Sequence, residues 1–327
     1  MVILGATTSP SRADDLATTF SGELRFRVEA LDGAFHRNRR GSDQLATSRG
    51  LLQIRHRRGA ARLEAEFADS RAWLDDSGTP LGTDDVNVLE PLQLFVAWTP
   101  SARVALRAGR MTRDLGSRRH LGRQRFRNTF NTFTGVDGSW RTDTWAITAF
   151  WYHPVRRHPG NRADLADHAR HFDRSHNGFR FVGAHAARKS GRRHVEWTLL
   201  NLRDDDAFAN RDRNLTTLGL RLRREPAPGT WDYDLDFALQ AGSTRGGIAP
   251  TSRRLDHFAG FIHAEAGYHF GGPWQTRLVG QFNVAGGDRD PADGDSDRYD
   301  GNFAVRVFEY GPTGIYGAFS RSNTAFL

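Results

Sequence analysis

Trp231-Asp232-Tyr233-Asp234-Leu235-Asp236-Phe237-Ala238-Leu239 alternates apolar and charged side chains through most of its length. Successive side chains of a β-strand point to opposite faces, so this stretch predicts a strand with one apolar face and one ionic face. Residues 20–30 repeat the pattern, because Leu24 and Phe26 alternate with Arg25 and Arg27. A soluble sandwich would bury the apolar face in a core. A transmembrane barrel would turn it to lipid and turn the ionic face to a water-filled lumen.

Composition narrows the choice of protein class. The 327 residues are 38% hydrophobic and 26% charged, and the mean hydropathy is −0.60. No run approaches the roughly 18 apolar residues that a membrane-spanning helix needs. A barrel remains compatible, because half of each strand faces water. The chain has no cysteine, which excludes disulfides, thiolate-bound zinc and a thiol nucleophile.

The chain is basic, with a net charge of +8, and Lys189 is its single lysine. Nearly all of the positive charge is therefore carried by arginine, whose planar guanidinium binds carboxylate and phosphate groups in a bidentate manner. A gene rich in G and C also replaces lysine by arginine. The positions of the arginines are consequently more informative than their number.

Short turns alternate with long polar connections along the chain, which is the arrangement of outer-membrane barrels with tight turns on the periplasmic side. We count about fourteen strands and predict an all-β, antiparallel transmembrane β-barrel. Long connections fall at residues 35–48 and 69–87. The tight turns, which should share one rim, are Arg58-Gly59, Pro100-Ser101, Thr142-Asp143, Ser190-Gly191, Pro228-Gly229 and Gly271-Gly272.

Arginines recur at the positions that would face the lumen, and rings of arginine select anions. Interspersed carboxylates would keep a polyanion from binding too tightly. The alternative interpretation is a solvated wall in which these charges only balance one another. The candidates by strand parity are Arg25, Arg27, Arg55, Arg62, Arg103, Arg107, Arg110, Arg221, Arg223 and Arg277.

Residues 113–134 do not alternate and interleave arginines with Phe126, Phe130 and Phe133. Three neighbouring phenylalanines are rarely left in water. We therefore predict that this segment folds against the barrel wall, with its rings packed and some of its guanidinium groups facing the pore.

A second irregular segment is acidic. Asp288, Asp290, Asp293 and Asp295 lie in one loop rich in glycine and proline. Calcium takes six to eight oxygen ligands, so such a loop could bind it, although the spacing is not that of an EF-hand. A solvated loop without metal is the favoured interpretation.

Other function classes have weaker support. The sequence has no Gly-x-Ser-x-Gly or His-Glu-x-x-His motif, so no catalytic residue is assigned and an enzyme is not expected. A soluble basic β protein that binds polyanions is the remaining alternative, because a high isoelectric point accompanies nucleic-acid binding. The arginines are spread over all strands instead of being clustered, and no nucleic-acid partner is expected.

Specific motifs begin at Gly109-Arg110. Phe126-Arg127-Asn128-Thr129-Phe130-Asn131-Thr132-Phe133-Thr134-Gly135-Val136 follows, then Gly287-Asp288-Arg289-Asp290-Pro291, Gly311-Pro312-Thr313-Gly314-Ile315-Tyr316-Gly317 and Arg321-Ser322-Asn323. These blocks resemble the alginate export family of outer-membrane porins. Two positions depart from the family pattern: Met111, where glutamine is usual, and Thr134, where aspartate is usual.

The resemblance implies an eighteen-stranded monomeric barrel in the outer membrane of a Gram-negative bacterium. It also implies passive export of an anionic uronic-acid polysaccharide through an arginine-lined constriction, without a cofactor. Family-like motifs flank Arg110 and Arg127, which we assign to that constriction. The expected partners are the polysaccharide, outer-membrane lipid and periplasmic export or assembly machinery. A general anion-selective porin is the alternative.

The domain organisation follows from these patterns. We expect residues 1–19 to be a residual leader or tail and residues 20–327 to form the barrel. The barrel is expected to be incomplete at the C-terminus, because the family's last strands would follow the Gly311 block.

Overall fold

The computed structural model describes residues 16–32, 42–75, 81–205, 210–288, 290, 292–305 and 324–326. The chain divides into two compact units. Unit 1 comprises Met1–Asp114, Gly122–Val136 and His153–His176, and unit 2 comprises Leu115–Leu121, Asp137–Tyr152 and Asn177–Leu327. The motif blocks at residues 311–317 and 321–323 lie outside the described residues.

Unit 1 is built on antiparallel strands that pair with their neighbours in the chain, in the order β1-β2-β3-β4-β5. Its strands are β1 (Leu16–Asp32), β2 (Ser42–Arg58), β3 (Ala61–Trp73), β4 (Asn87–Ser101) and β5 (Val104–Met111). The first residues of β6 (Phe133–Arg141), the last of β7 (Trp145–Arg156), the short helix α1 (Arg162–Ala166) and β8 (Arg174–Ser175) also belong to it. Asn161 caps α1.

Unit 2 continues in the same way from β7, in the order β7-β9-β10-β11-β12-β13-β14-β16. Its strands are β9 (Phe179–Ser190), β10 (Arg193–Asp204), β11 (Asn214–Arg224), β12 (Thr230–Arg245), β13 (Arg254–His269), β14 (Arg277–Ala285), β15 (Asp295–Ser296) and β16 (Thr324–Phe326). The two-residue β15 pairs with β13 in parallel, and the other pairs in this unit are antiparallel.

The strands begin where the alternation predicts or several residues earlier. β1 begins at Leu16 rather than at Phe20, and β2 begins at Ser42, inside the connection that we predicted at residues 35–48. β14 begins at Arg277, and Trp274 lies in the turn before it. Backbone hydrogen bonds extend a ladder whatever the side chains are, so a strand can continue past its apolar alternation.

The tight turns fall at or next to the predicted positions. β4 extends through Ser101, so the turn that follows it is formed by Ala102 and Arg103 instead of Pro100-Ser101. Because the strands are antiparallel and consecutive, the tight turns of each unit lie at one end of its sheet. The long connections of each unit lie at the other end.

Burial is the reverse of that in a soluble protein. Trp231 is 62% exposed and Phe26 is 72% exposed, whereas Asp232 and Asp236 are buried. Leu235 and Phe237 are half-buried and lie in no dry core. The apolar face of the sheet is thus the outer one, which contradicts a sandwich. Among the described residues, no helix is long and apolar enough to cross a membrane.

Candidate pore-lining site

The ionic face of unit 1 holds the non-alternating segment by its backbone. Arg25 donates to the carbonyls of Arg125 and Arg127, each at 2.9 Å. Arg49 donates to the same two carbonyls at 3.0 and 2.9 Å. Arg27 donates to the carbonyl of Phe126 at 2.6 Å. Three guanidinium groups from β1 and β2 therefore bind three consecutive peptide carbonyls.

Asn128 also fastens the same segment to β2, to β3 and to the connection between β3 and β4. Its side-chain amide donates to the carbonyls of Ser48 and Asp85, both at 2.8 Å, and of Arg71 at 3.1 Å. The Ser70 hydroxyl donates to its main-chain carbonyl at 2.7 Å. Asn128 is completely buried, so these partners replace the water that its polar groups would lose.

The phenylalanines of the segment pack as predicted. Phe130 and Phe133 are buried and Phe126 is half-buried. The guanidinium carbons of Arg49 and Arg123 lie 4.7 and 4.5 Å from the centroid of the Phe130 ring. Cation–π contacts of this kind attract arginine to an aromatic face. The prediction that the segment folds against the wall is confirmed.

Ion pairs complete the docking of unit 1. Arg123 binds Glu66 in a bidentate manner, at 2.8 and 2.7 Å. Arg127 and Arg157 both donate to Oδ1 of Asp84, each at 2.5 Å. Two arginines on one carboxylate leave a net positive charge at this point.

Arg110 lies in β5 beside two buried carboxylates. It is 2.7 Å from Glu90 and 3.5 Å from Asp173. Burial raises the pKa of Asp173, which lies in the connection after α1. Gly109 has a φ of +130°, and a Cβ there would lie 2.4 Å from the carbonyl oxygen of Leu94. Glycine thus permits the close approach of β5 to β4 that positions Arg110.

The arginines near the tight-turn end of unit 1 are more accessible. Arg55 and Arg62 share Glu64, at 3.3 and 3.4 Å, and their side chains are 49% and 43% exposed. Arg62 and Arg107 approach the Phe95 ring at 6.0 and 5.3 Å. These residues form what we call the β2–β5 arginine cluster: Arg55, Arg62 and Arg107. Arg103 lies in the adjacent turn rather than on a strand, so its strand-parity assignment to the lumen face is not met.

The candidate arginines of unit 2 are in ion pairs. Arg221 binds Asp234 at 2.6 Å and Glu196 at 3.1 Å. Arg277 binds Asp232 and also Glu265, the latter at 2.8 Å. Arg223 is 3.9 Å from Glu225. The wall of unit 2 is therefore largely neutralised along its length.

Two connecting segments, residues 115–121 and the residues around Tyr299 and Asp300, fold onto the ionic face of unit 2. Arg119 binds the buried Asp236 at 3.1 Å, and His120 Nδ1 lies 3.1 Å from the hydroxyl of Tyr299. Burial lowers the pKa of His120. Arg213 joins Asp204 and Asp300, at 2.6 and 2.8 Å. Although burial acts to raise it, Arg213 keeps the pKa of Asp300 below its ordinary value.

The acidic loop uses its carboxylates on its own backbone. Oδ1 of Asp290 accepts from the amide of Ala292 at 3.1 Å, and Oδ1 of Asp293 accepts from that of Asp295 at 2.9 Å. Arg289 and Pro291 lie outside the described residues. In the part of the chain that the structure describes, no three histidine or acidic residues are grouped to hold a metal ion. Calcium binding by Asp288, Asp290, Asp293 and Asp295 stays a prediction.

The parity argument missed several residues that build this face. Arg49 has the same parity as Gln53 and Arg55 in β2, so continuing the alternation towards the N-terminus would have found it. Asp84 lies in an irregular connection, where no periodicity assigns a face. Its role depends on Arg127 and Arg157, which are 43 and 73 residues away.

An antiparallel sheet with exposed apolar and inward ionic side chains defines an outer-membrane β-barrel porin. The structure is similar to a BenF-like porin from Pseudomonas fluorescens Pf-5, with a TM-score of 0.54 and 13% identity over 83% of this chain and 66% of that one. It is also similar to Pseudomonas aeruginosa OccK8 (OprE), with the same score and identity over 90% and 73%. The chain thus spans about two thirds to three quarters of the length of these porins.

The family model for alginate export matches residues 17–321, and the chain belongs to that family. No curated protein matches it in sequence. The family and the porin fold place the protein in the outer membrane of a Gram-negative bacterium.

Proposed function

We propose that this porin is a passive, anion-selective pore through which an acidic, uronic-acid polysaccharide leaves the cell. The observation that carries the proposal is the concentration of arginine on the ionic face of a chain of the alginate export family. We further propose a monomeric pore that works without a cofactor and without a catalytic step.

We propose two different roles for the arginines of the ionic face. Arg25 and Arg27 are engaged with the backbone of the docked segment, so they shape the pore instead of contacting the cargo. In the β2–β5 arginine cluster, Arg55 and Arg62 share the carboxylate of Glu64 and keep accessible guanidinium groups. We propose it as a polyanion contact, with Arg110 and Arg127 at the constriction. Partial neutralisation weakens each contact, and conduction requires sites that release their ion.

Reversal potentials in planar bilayers test the selectivity of the full-length protein. We expect the wild type to pass chloride in preference to potassium. Replacing the β2–β5 arginine cluster by glutamine should lower that preference, because three positive charges leave the ionic face. Arg58→Gln, at the exposed end of β2, is the matched control and should change it little. A cation-selective wild type would refute the proposal.

Block of the ion current by cargo separates the two kinds of anion pore. Uronic-acid oligomers should interrupt the current at lower concentration than neutral oligosaccharides of equal length. The β2–β5 variant should need more oligomer for the same block. If small organic acids block as well as the oligomers at equal charge, a general anion-selective porin is the correct description.

A further inference from the structure

The outer face of unit 2 carries arginines at its tight-turn end. Arg193 of β10 stands directly opposite Arg224 of β11, and Arg188 of β9 is opposite Val195 in the next row. Like charges that face each other across strands are destabilising. Arg188 and Arg193 are exposed, and none of the three arginines has an ion-pair partner among the residues that the structure describes. We name Arg188, Arg193 and Arg224 the outer arginine triad.

The carboxylate of Glu225, which is close in sequence to the triad, does not neutralise it. Glu225 is the adjacent acidic residue, and its carboxylate is 2.9 Å from Nε2 of His194, on the ionic face. Its remaining neighbours are Lys189 and Arg223 at 3.8 and 3.9 Å. The outer face therefore keeps three uncompensated positive charges where the strands end.

Aromatic rings accompany the triad. The guanidinium carbon of Arg188 lies 5.7 Å from the centroid of the Trp145 ring, which stacks on Trp197 at 5.9 Å. Tryptophan is enriched at the level of lipid headgroups, because its ring is apolar and its N–H is polar. The triad and these rings together have the composition that is typical of a membrane–water interface.

An apolar groove runs from these rings along the outer face. Its floor includes the small Ala184 and Ala186 of β9, between Ile147 of β7 and Trp197 and Leu199 of β10. Leu218 and Leu220 of β11 and Phe237 and Leu239 of β12 extend the lining. Strand rows two residues apart are about 7 Å apart. The residues paired across neighbouring strands form rows on the outer face. With increasing distance from the tight turns, these rows are first cationic, then aromatic and then aliphatic.

We propose that the triad and the groove form a binding site for one anionic phospholipid of the periplasmic leaflet. The triad binds the phosphate-bearing headgroup, because guanidinium groups make bidentate hydrogen bonds to phosphate oxygens. The groove receives an acyl chain. A zwitterionic headgroup fits less well, because its ammonium would approach the same three positive charges.

Native mass spectrometry of the full-length barrel in detergent tests the site. Dioleoylphosphatidylglycerol and dioleoylphosphatidylcholine are supplied in turn at equal concentration. We expect tighter binding of the anionic lipid, with one molecule retained at high collision energy. A basic side chain near anionic lipid contributes about fivefold in affinity, so R193Q/R224Q should weaken that binding about twenty-five-fold. Phosphatidylcholine binding should not change.

Three further variants and one competitor make the test specific. R193K/R224K should retain most of the preference, and R57Q/R58Q, at the end of β2 in unit 1, should retain all of it. A186W should weaken both lipids equally by filling the groove. Glycerol 3-phosphate should not displace the lipid at millimolar concentration. Equal binding of both lipids by the wild type, an unchanged preference in R193Q/R224Q, or displacement by glycerol 3-phosphate would overturn the proposal.

Discussion

At the scale of single residues, the ionic face combines two kinds of arginine. Arg49 is almost completely buried and donates hydrogen bonds to two peptide carbonyls. Arg125 of the same unit is 72% exposed and lies 3.7 Å from Asp114. A buried charge that loses its partner is costly, whereas an exposed pair contributes little. The same substitution should therefore destabilise the protein much more at a buried arginine such as Arg49 than at an exposed one such as Arg125.

Arg123→Gln should locally release residues 123–133, the part of the non-alternating segment that is docked on unit 1. Glu66 is buried and would keep a negative charge without its bidentate partner. Losing one member of a buried pair costs about 3 kcal/mol. Amide hydrogen exchange of residues 123–132 should show a corresponding loss of protection in the purified, folded barrel.

Arg125→Gln is the control for that experiment, since it removes an exposed arginine two positions away. Protection should then fall by less than about 1 kcal/mol. The double variant Arg123→Gln/Glu66→Gln should recover part of the loss, because no uncompensated charge is left. Equal effects of Arg123→Gln and Arg125→Gln would mean that the Glu66 pair does not hold the segment.

At the scale of elements, alternation of side chains predicts faces well and boundaries poorly. In β12 the apolar Trp231 and Leu239 are outward and Asp232 and Asp236 are inward, as the period of two requires. Residues 42–48 of the predicted connection at residues 35–48 belong to β2, because Ser42 and its neighbours pair through the backbone without an apolar alternation. The alternation of apolar and polar residues cannot predict a strand where its backbone pairing continues beyond the apolar face of the sheet.

The docked segment shows what sequence reasoning cannot reach. Its clustered phenylalanines predict that it packs against the wall, and they do so in the structure. The segment is held by Arg25, which donates hydrogen bonds to main-chain carbonyls about 100 residues away in the chain. Carbonyl acceptors have no residue type, so no pattern in the sequence identifies them.

Segment Leu115–Leu121 of unit 2 should lose its docking in acid. Burial lowers the pKa of His120 below the ordinary value of 6.5, and Arg119 and His185 add to this while Asp236 opposes it. The released segment then binds a proton more readily than the docked one. The contribution of His120 to docking is therefore complete above about pH 6.5 and is lost as the pH falls below it.

Hydrogen exchange at several pH values checks this sign. After correction for the intrinsic exchange rate, protection of residues 115–121 should be constant between about pH 7 and 8. It should fall by up to about tenfold per pH unit below pH 6.5. In His120→Gln the dependence attributable to this histidine should disappear. Protection that increases on acidification would show that the imidazolium is favoured in the docked state.

At the scale of the whole molecule, charge is distributed along the strand direction in both units. The tight-turn ends carry more arginines than carboxylates, whereas the ends with long connections carry many carboxylates together with arginines such as Arg123, Arg157 and Arg213. Basic residues at the tight-turn ends are Arg57, Arg58, Arg62, Arg103 and Arg107 in unit 1 and Arg141, Arg188, Lys189, Arg192, Arg193, Arg223 and Arg224 in unit 2. Carboxylates at the opposite ends include Asp69, Asp84, Asp85, Asp114 and Asp173 in unit 1 and Asp204, Asp212, Asp256, Asp290, Asp293, Asp295 and Asp300 in unit 2.

Such a distribution should make capture of a polyanion depend on the side from which it arrives. A positive surface attracts an anionic chain and raises its association rate by about tenfold or more at low ionic strength. Uronic-acid oligomers added to the tight-turn side of an oriented bilayer should therefore block the ion current about ten times more often than oligomers added to the other side. Because the Debye length falls to about 3 Å in 1 M salt, the asymmetry should largely disappear there. Neutral oligosaccharides provide the control and should show no preference for either side. An equal block frequency from both sides at low salt would show that the terminal charges do not guide the cargo, and that any selectivity arises deeper in the pore.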